Sequence, residues 1–263
     1  KPVEAVRGVS FSVDAGESLG IVGESGCGKS SLAKTIIGLQ PPSAGSLCFK
    51  GQSLSRMDPA AFRDYRRVVQ MVFQDAAGSL NPRMSVRQTL EEVLRVHKMV
   101  PANRISDRIL ELLGRVGLPT NVLDAYPREI SGGQCQRISF ARCLALEPQL
   151  IIADEPVSAL DVSVQARILN LVRTLQKELN LAIILISHDL AVVRNICDRV
   201  AVMHAGLFVE SGPAADVLDA PQDDYTRELL AAVPDVDRAL RERGSNHDSP
   251  PRAPNAQLPT PNS

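Results

Sequence analysis

The chain has 263 residues, with 29 basic and 30 acidic side chains that leave a net charge of −1. That length is enough to bury a substantial core, and the near cancellation of charge excludes an overall basic field of the kind that gathers nucleic acid or anionic lipid. The most apolar run, Leu181–Ile186, is far too short to cross a bilayer, and no signal-peptide pattern is visible.

The chain opens at Lys1 without a Met, directly in strand-like sequence, so further residues are expected to precede it. Val9–Val13 alternates apolar and polar residues as a half-buried strand does, and Asp14-Ala15-Gly16 turns it. Ser18–Val22 reads as a short apolar strand, and Ser31–Ile37 as a helix closed by Gly38, suited to a left-handed cap. Between them lies Gly23-Glu24-Ser25-Gly26-Cys27-Gly28-Lys29-Ser30, which matches the phosphate-binding pattern G-x-x-x-x-G-K-[ST]. Ser46–Lys50 and Gly51 continue as strand and turn. Asp58 caps a helix with Pro59 at its first position, running through Arg66, and Val68–Phe73 is a buried strand.

From Asn81 to Arg128 the character turns helical. Ser85 and Gln88 form a capping-box pattern ahead of Leu90, Val93 and Leu94. Ile105, Ile109, Leu112, Leu113 and Val116 keep a helical stripe that Gly117-Leu118-Pro119 stops, so the segment reads as a helical insertion in an α/β core. Leu150–Ala153 is a strand of the parallel-sheet kind, Val164 to Leu175 a crossover helix, and Leu181–Ile186 the next buried strand. Val200–His204 and Leu207–Glu210 flank Ala205-Gly206 as a hairpin, and Pro213–Leu218 and Tyr225–Val233 read as short helices. Beyond Gly244 the Pro-, Ser- and Asn-rich sequence is expected to be disordered. The five cysteines, Cys27, Cys48, Cys135, Cys143 and Cys197, show no zinc spacing. Cys48 and Cys197 fall in apolar runs, so buried free thiols are expected, as suits a reducing cytosol.

Strand, glycine loop and helix form the context that gives the phosphate pattern its meaning. The glycines let backbone N–H groups turn onto phosphate oxygens, and the helix N-terminus adds partial positive charge. Lys29 can reach the β- and γ-phosphates, and the Ser30 hydroxyl can ligate Mg²⁺. Asp154 ends a buried strand, where it can hold Mg²⁺ through its water shell, and Glu155 follows, placed to orient or deprotonate a water. A second glycine-bearing turn, Ser131-Gly132-Gly133-Gln134, opens another helix. A capping box explains Ser131 and Gln134, but two glycines just inside a helix weaken it by roughly 1 kcal/mol each, while its exposed N–H groups suit a phosphate.

From Val3 to about Gly212 the chain resembles the nucleotide-binding domain of ABC transporters, with the motifs in family order. Gly23–Ser30 is similar to the Walker A loop, Gln74 to the Q-loop, Ser131–Gln134 to the signature, Asp154-Glu155 to the end of Walker B, Ser158–Asp161 to the D-loop and His188 to the switch histidine. The resemblance implies an α/β fold: a P-loop NTPase (RecA-like) core with an antiparallel β subdomain and a helical signature subdomain. It implies an ATPase domain over residues 1–233, with the helical part at about 81–145, and a C-terminal extension over 234–263. It implies ATP and Mg²⁺ as ligands, held by Gly23, Glu24, Ser25, Gly26, Cys27, Gly28, Lys29, Ser30, Ser31, Gln74, Asp154, Glu155 and His188. Of these, Glu155, His188, Lys29 and Gln74 would be catalytic, and Ser30, Gln74 and, through water, Asp154 would hold the metal. Two such domains would pair head to tail, so that Ser131, Gly132, Gly133, Gln134 and Asp161 complete the site of a homologous or fused second domain.

A narrower likeness points to the oligopeptide, dipeptide and nickel importer ATPases, with peptide favoured over nickel. It rests on Val72–Asp75 with Ser79–Val86, and on Tyr225–Pro234. It implies two permease subunits, an extracytoplasmic solute-binding protein, no nucleic acid, and a peripheral place on the cytoplasmic face of the cell (inner) membrane. Many members carry a cysteine cluster after the Tyr-Thr-Arg helix. No cysteine follows Cys197, so no iron–sulfur cluster is expected. The family's adenine-stacking aromatic is absent before Phe11, which reads as core. It is expected among residues preceding Lys1, as in the second half of a chain with two fused domains. A soluble ABC-type ATPase acting on ribosomes or DNA shares every nucleotide motif, and an exporter ATPase shares them too.

Overall fold

The computed structural model describes residues 4–158 and 160–232. In chain order its elements are β1 (Ser18–Val22), α1 (Lys29–Ile36), β2 (Cys48–Phe49), β3 (Gln52–Ser53), α2 (Pro59–Val68), β4 (Val69–Val72), α3 (Val86–Val96), α4 (Ile105–Arg115), α5 (Gly132–Leu144), β5 (Leu150–Asp154), α6 (Val162–Leu179), β6 (Ala182–Ser187), α7 (Leu190–Ile196), β7 (Arg199–His204), β8 (Leu207–Pro213), α8 (Ala214–Asp219) and α9 (Asp224–Ala231). Apolar runs of β-branched residues become strands because a pleated, doubly covered surface buries them without helical crowding. The main sheet has the order β4-β5-β6-β1-β7-β8; its pairs are parallel except β7 with β8. Every residue of β1 and β6 is buried. The elements up to Leu230 make one compact unit, and the extension 234–263 lies outside the described residues.

Helix ends follow their local signals. Asp58 accepts from the Ala60 and Ala61 amides, both at 2.8 Å, and fixes the start of α2. Ser85 and Gln88 bond reciprocally across the first turn of α3. After α1, Gly38 adopts φ 71°; its N–H donates to Thr35 O and that of Leu39 to Lys34 O, the paired bonds of a Schellman ending. Between β4 and β5 in the chain, α3, α4 and α5 pack on one another, burying Leu90, Leu94, Ile109, Leu112, Leu113 and Ile138.

Two expectations are corrected. Val9–Val13 is not a strand: its apolar residues pack on the core, with the Phe11 ring edge-on to Phe208 at 5.6 Å, but among the described residues no partner strand pairs with it. Its alternation serves packing rather than pairing, and among the described residues antiparallel pairing is confined to β7–β8 and the short β2–β3 hairpin. Cys48 is exposed, whereas the other four cysteines are buried. In a two-residue strand only one side chain faces inward, and that one is Phe49, against Tyr65 at 5.3 Å.

At the amino end of β1, the Ser18 side chain is fully buried. Asp198 Oδ2 accepts from Ser18 N at 2.8 Å, from Ser18 Oγ at 2.6 Å and from Gln176 Nε2 at 3.3 Å. One carboxylate so joins the starts of β1 and β7 to helix α6.

Candidate nucleotide site

Four neighbouring parallel strands end at one edge of the sheet, where ligands of open α/β sheets bind. Gly23 follows β1, Gln74 lies two residues past β4, Asp154 ends β5, and His188 follows β6.

The loop after β1 needs its glycines. Gly28 sits at φ 115°, where a Cβ would lie 2.1 Å from Ala5 O, whereas Gly26, at φ 84°, faces open space. Gly28 is also the N-cap of α1 and supplies no side-chain acceptor, so the first-turn amides keep their capacity for an anion. Lys29 is buried, and its Nζ donates to Gly23 O at 2.7 Å and Glu24 O at 2.8 Å, close to Cys27 Sγ at 3.6 Å.

Beside the loop, Ser30 Oγ lies 3.4 Å from Asp154 Oδ1. Asp154 is only 7% exposed; burial pushes its pKa up, with the Ser30 hydrogen bond opposing and Glu155 adding to the rise. A buried carboxylate beside a hydroxyl is an oxygen donor set that fits Mg²⁺. Glu155 occupies the left-handed region at φ 46°, a conformation that costs a non-glycine residue on the order of 1 kcal/mol and is held here by its N–H to Ile186 O at 2.9 Å. Its carboxylate accepts from Gln74 Nε2 at 2.7 Å and lies 3.2 Å from His188 Nδ1. The ends of β4, β5 and β6 are thus linked through one carboxylate.

Ser131–Gln134 and Asp161 are placed differently. Ser131 N donates to Gln134 Oε1 at 2.9 Å and Gln134 N to Ser131 Oγ at 3.3 Å, closing a capping box on α5. A Cβ on Gly133 would lie 2.3 Å from Val164 Cγ1, and one on Gly132 3.3 Å from Leu160 Cδ2, so the start of α5 is pressed against the start of α6. Asp161 caps α6 through Val164 N at 2.9 Å and Ser163 Oγ at 2.8 Å, bonds that hold its carboxyl below the usual range. Among the described residues, no hydrogen bond joins this group to the phosphate loop.

One contact has no local signal in the sequence. The Glu24 N–H donates to the Tyr225 hydroxyl at 3.2 Å, across 201 positions of chain.

A family model described as ABC transporter matches residues 6–158, a span that holds the loop, Gln74, the Ser131 turn and Asp154-Glu155. The chain belongs to the ABC transporter family. It is 49% identical over 239 residues to the oligopeptide transport ATP-binding protein OppF of Lactococcus lactis subsp. lactis, covering 91% of this chain and 75% of the relative. It is 48% identical over 243 residues to OppF of Escherichia coli, covering 92% and 73%. With the dipeptide transport ATP-binding protein DppF of Escherichia coli the identity is 47% over 232 residues, covering 88% and 70%. A dimer of the ATP-binding cassette MJ0796 in a post-hydrolysis state with ADP and Pi superposes with a TM-score of 0.72 at 27% identity, covering 81% of this chain and 91% of that one. The protein cbiO1 from Clostridium perfringens, part of the ABC transporter complex cbiONQ, gives 0.75 at 29% identity, covering 90% and 92%. The fold is that of an ABC ATPase, an α/β P-loop NTPase that binds and hydrolyses ATP. Among the described residues no helix is long and apolar enough to cross a membrane.

Proposed function

We propose that this chain is the ATP-hydrolysing subunit, or half-subunit, of an importer of di- and oligopeptides, with residues 81–145 as the helical subdomain of an ATPase domain spanning 1–233. The observation that carries the chemistry is the Gln74–Glu155–His188 chain of contacts beside the phosphate loop. The peptide cargo rests on the relatives named as oligopeptide and dipeptide transport ATP-binding proteins.

The amides of Gly23–Ser31 receive the phosphates, and Lys29 leaves the Gly23 and Glu24 carbonyls for the β- and γ-phosphates. Ser30 and Gln74, with Asp154 through water, would hold Mg²⁺, and the ion would supply charge neutralisation at the phosphates. Glu155 accepts a proton from the attacking water as its oxygen bonds to the γ-phosphorus and the bond to the bridging oxygen breaks. Gln74 and His188 keep the Glu155 carboxylate aimed, and His188 then faces the γ-phosphate. Catalysis here is positioning and charge stabilisation without a covalent intermediate. Ser131, Gly132, Gly133, Gln134 and Asp161 serve the nucleotide of a second domain docked head to tail. Closure on ATP and opening after hydrolysis drive two permease subunits at the cytoplasmic face of the inner membrane, fed by an extracytoplasmic solute-binding protein.

The test is affinity purification of the full-length Glu155→Gln protein with ATP from detergent-solubilised membranes, followed by mass spectrometry. Two multi-span permeases and a peptide-binding lipoprotein are the expected companions. Recovery of ribosomes or DNA-repair proteins in their place overturns the importer reading.

A further inference from the structure

The Glu24 peptide is gripped from two sides. Its carbonyl accepts from Lys29 Nζ at 2.8 Å, and its N–H donates to the Tyr225 hydroxyl at 3.2 Å. Tyr225 therefore sits one peptide away from the ammonium that must reach the phosphates. Its ring is supported in turn by His204, with centroids 4.0 Å apart, and His204 is the last residue of β7, the parallel neighbour of β1. The turn after β7 also holds the loop, since Gly206 N–H donates to Cys27 O at 2.9 Å.

The helix that carries Tyr225 is itself fastened. Glu210, on β8, accepts from Gln222 N at 2.8 Å and Asp223 N at 3.2 Å, and Asp223 Oδ1 accepts from Tyr225 N at 2.9 Å. A continuous run of bonds thus leads from the edge strand of the sheet, through the start of α9, to the phosphate loop. A tyrosine whose hydroxyl served only solubility would have no reason to be aimed at a loop amide by such a frame.

We propose that Tyr225 is a positioning residue for ATP binding: its hydroxyl fixes the Glu24 peptide, and so the resting place of Lys29 and the shape of the phosphate loop. The inference rests on the ATPase reading of the loop and extends it to a residue beyond the span matched by the family model. Tyr225 acts through Glu24.

The test uses the full chain with Tyr225→Phe, which removes one oxygen and keeps the ring on His204. Fluorescence titration with MANT-ATP gives Kd, phosphate release gives KM and kcat, and thermal unfolding without nucleotide gives Tm. Loss of one hydrogen bond to the loop is expected to raise Kd and KM for ATP about 3–10-fold, with kcat within about 2-fold and the nucleotide-free Tm unchanged. Glu210→Gln, which loosens the far end of the same frame, should raise KM in the parent but add little to Tyr225→Phe. Unchanged Kd and KM in Tyr225→Phe overturn the proposal alone, as does a fall in kcat at constant KM. A fall in nucleotide-free Tm that accompanies the lost affinity also overturns it, by showing general loosening. A parent chain that binds no MANT-ATP overturns the ATPase reading and this one with it.

Discussion

The starts of α1 and α5 are both glycine-bearing turns that open helices, yet they are finished in opposite ways. At α1 the N-cap is Gly28, with no side chain to bond the first-turn amides, and the adjoining lysine and serine meet Gln74, Asp154, Glu155 and His188 at the ends of four strands. At α5 the N-cap is Ser131, whose capping box with Gln134 occupies amides at both ends of the turn, and the glycines are accounted for by contact with Leu160 and Val164. The uncapped start, rather than the glycines, distinguishes a seat for phosphate. The capped start is complete in itself, and the role proposed for it is played against a second domain.

The comparison breaks or sharpens most at Glu155. Glu155→Gln should lower phosphate release about 10²–10⁴-fold, the range for loss of a general base, while MANT-ATP binding survives; retained turnover would place the base elsewhere. Gly133→Ala comes next, because its methyl group meets Val164 Cγ1; overpacking of this kind costs about 1–3 kcal/mol in urea unfolding. Adding Val164→Ala should restore stability. Hydrolysis that returns with it reduces Gly133 to packing, whereas hydrolysis that stays lost keeps its proposed role toward a partner.

Asp154→Asn should act in the reverse direction, trading activity for stability. Burial raises this carboxyl above its ordinary value of 3.8, so the folded state binds its proton more tightly than the unfolded chain does. The stability that this protonation contributes is full below 3.8 and is lost as pH rises through the folded value. At neutral pH the substitution should therefore raise the nucleotide-free Tm. The gain should shrink as pH falls toward 3.8, where the native carboxyl regains its proton, and a lowered Tm at neutral pH would refute the account. The smallest effect is expected from Ser131→Ala, about 0.5–1 kcal/mol for an exposed cap, read by chemical denaturation.

What the sequence disclosed and what it withheld divide along the range of the interactions. Ser85 with Gln88, Ser131 with Gln134 and Asp58 before Pro59 act within one turn, so their patterns were readable as helix starts, and the structure bonds Ser85 to Gln88, Ser131 to Gln134 and Asp58 to the Ala60 and Ala61 amides. The buried strands announced themselves by unbroken apolar runs. Val9–Val13 misled because alternation reports which residues face a core and says nothing about whether a neighbouring strand is present. Gln74, Asp154, Glu155 and His188 stood out by residue type and order, and the structure gathers them at one edge. The left-handed backbone of Glu155 was hidden, because it depends on a bond to β6. Tyr225 was hidden more deeply, since its partner lies 201 residues away and no pattern links them.

The Asp198 clasp on Ser18 sits at the opposite end of β1 from the chemistry, and for that reason it sets the chemistry's coordinates. A strand rises about 3.3 Å per residue, so a slip of one position would carry Gly23 by that length and turn each side chain of β1 to the wrong face. Such a slip would have to tear Ser18 N and Oγ from the same carboxylate oxygen. Like a rivet at the root of a fan, the clasp fixes the starting points of the two blades, β1 and β7, whose far ends carry the phosphate loop and the turn that holds it.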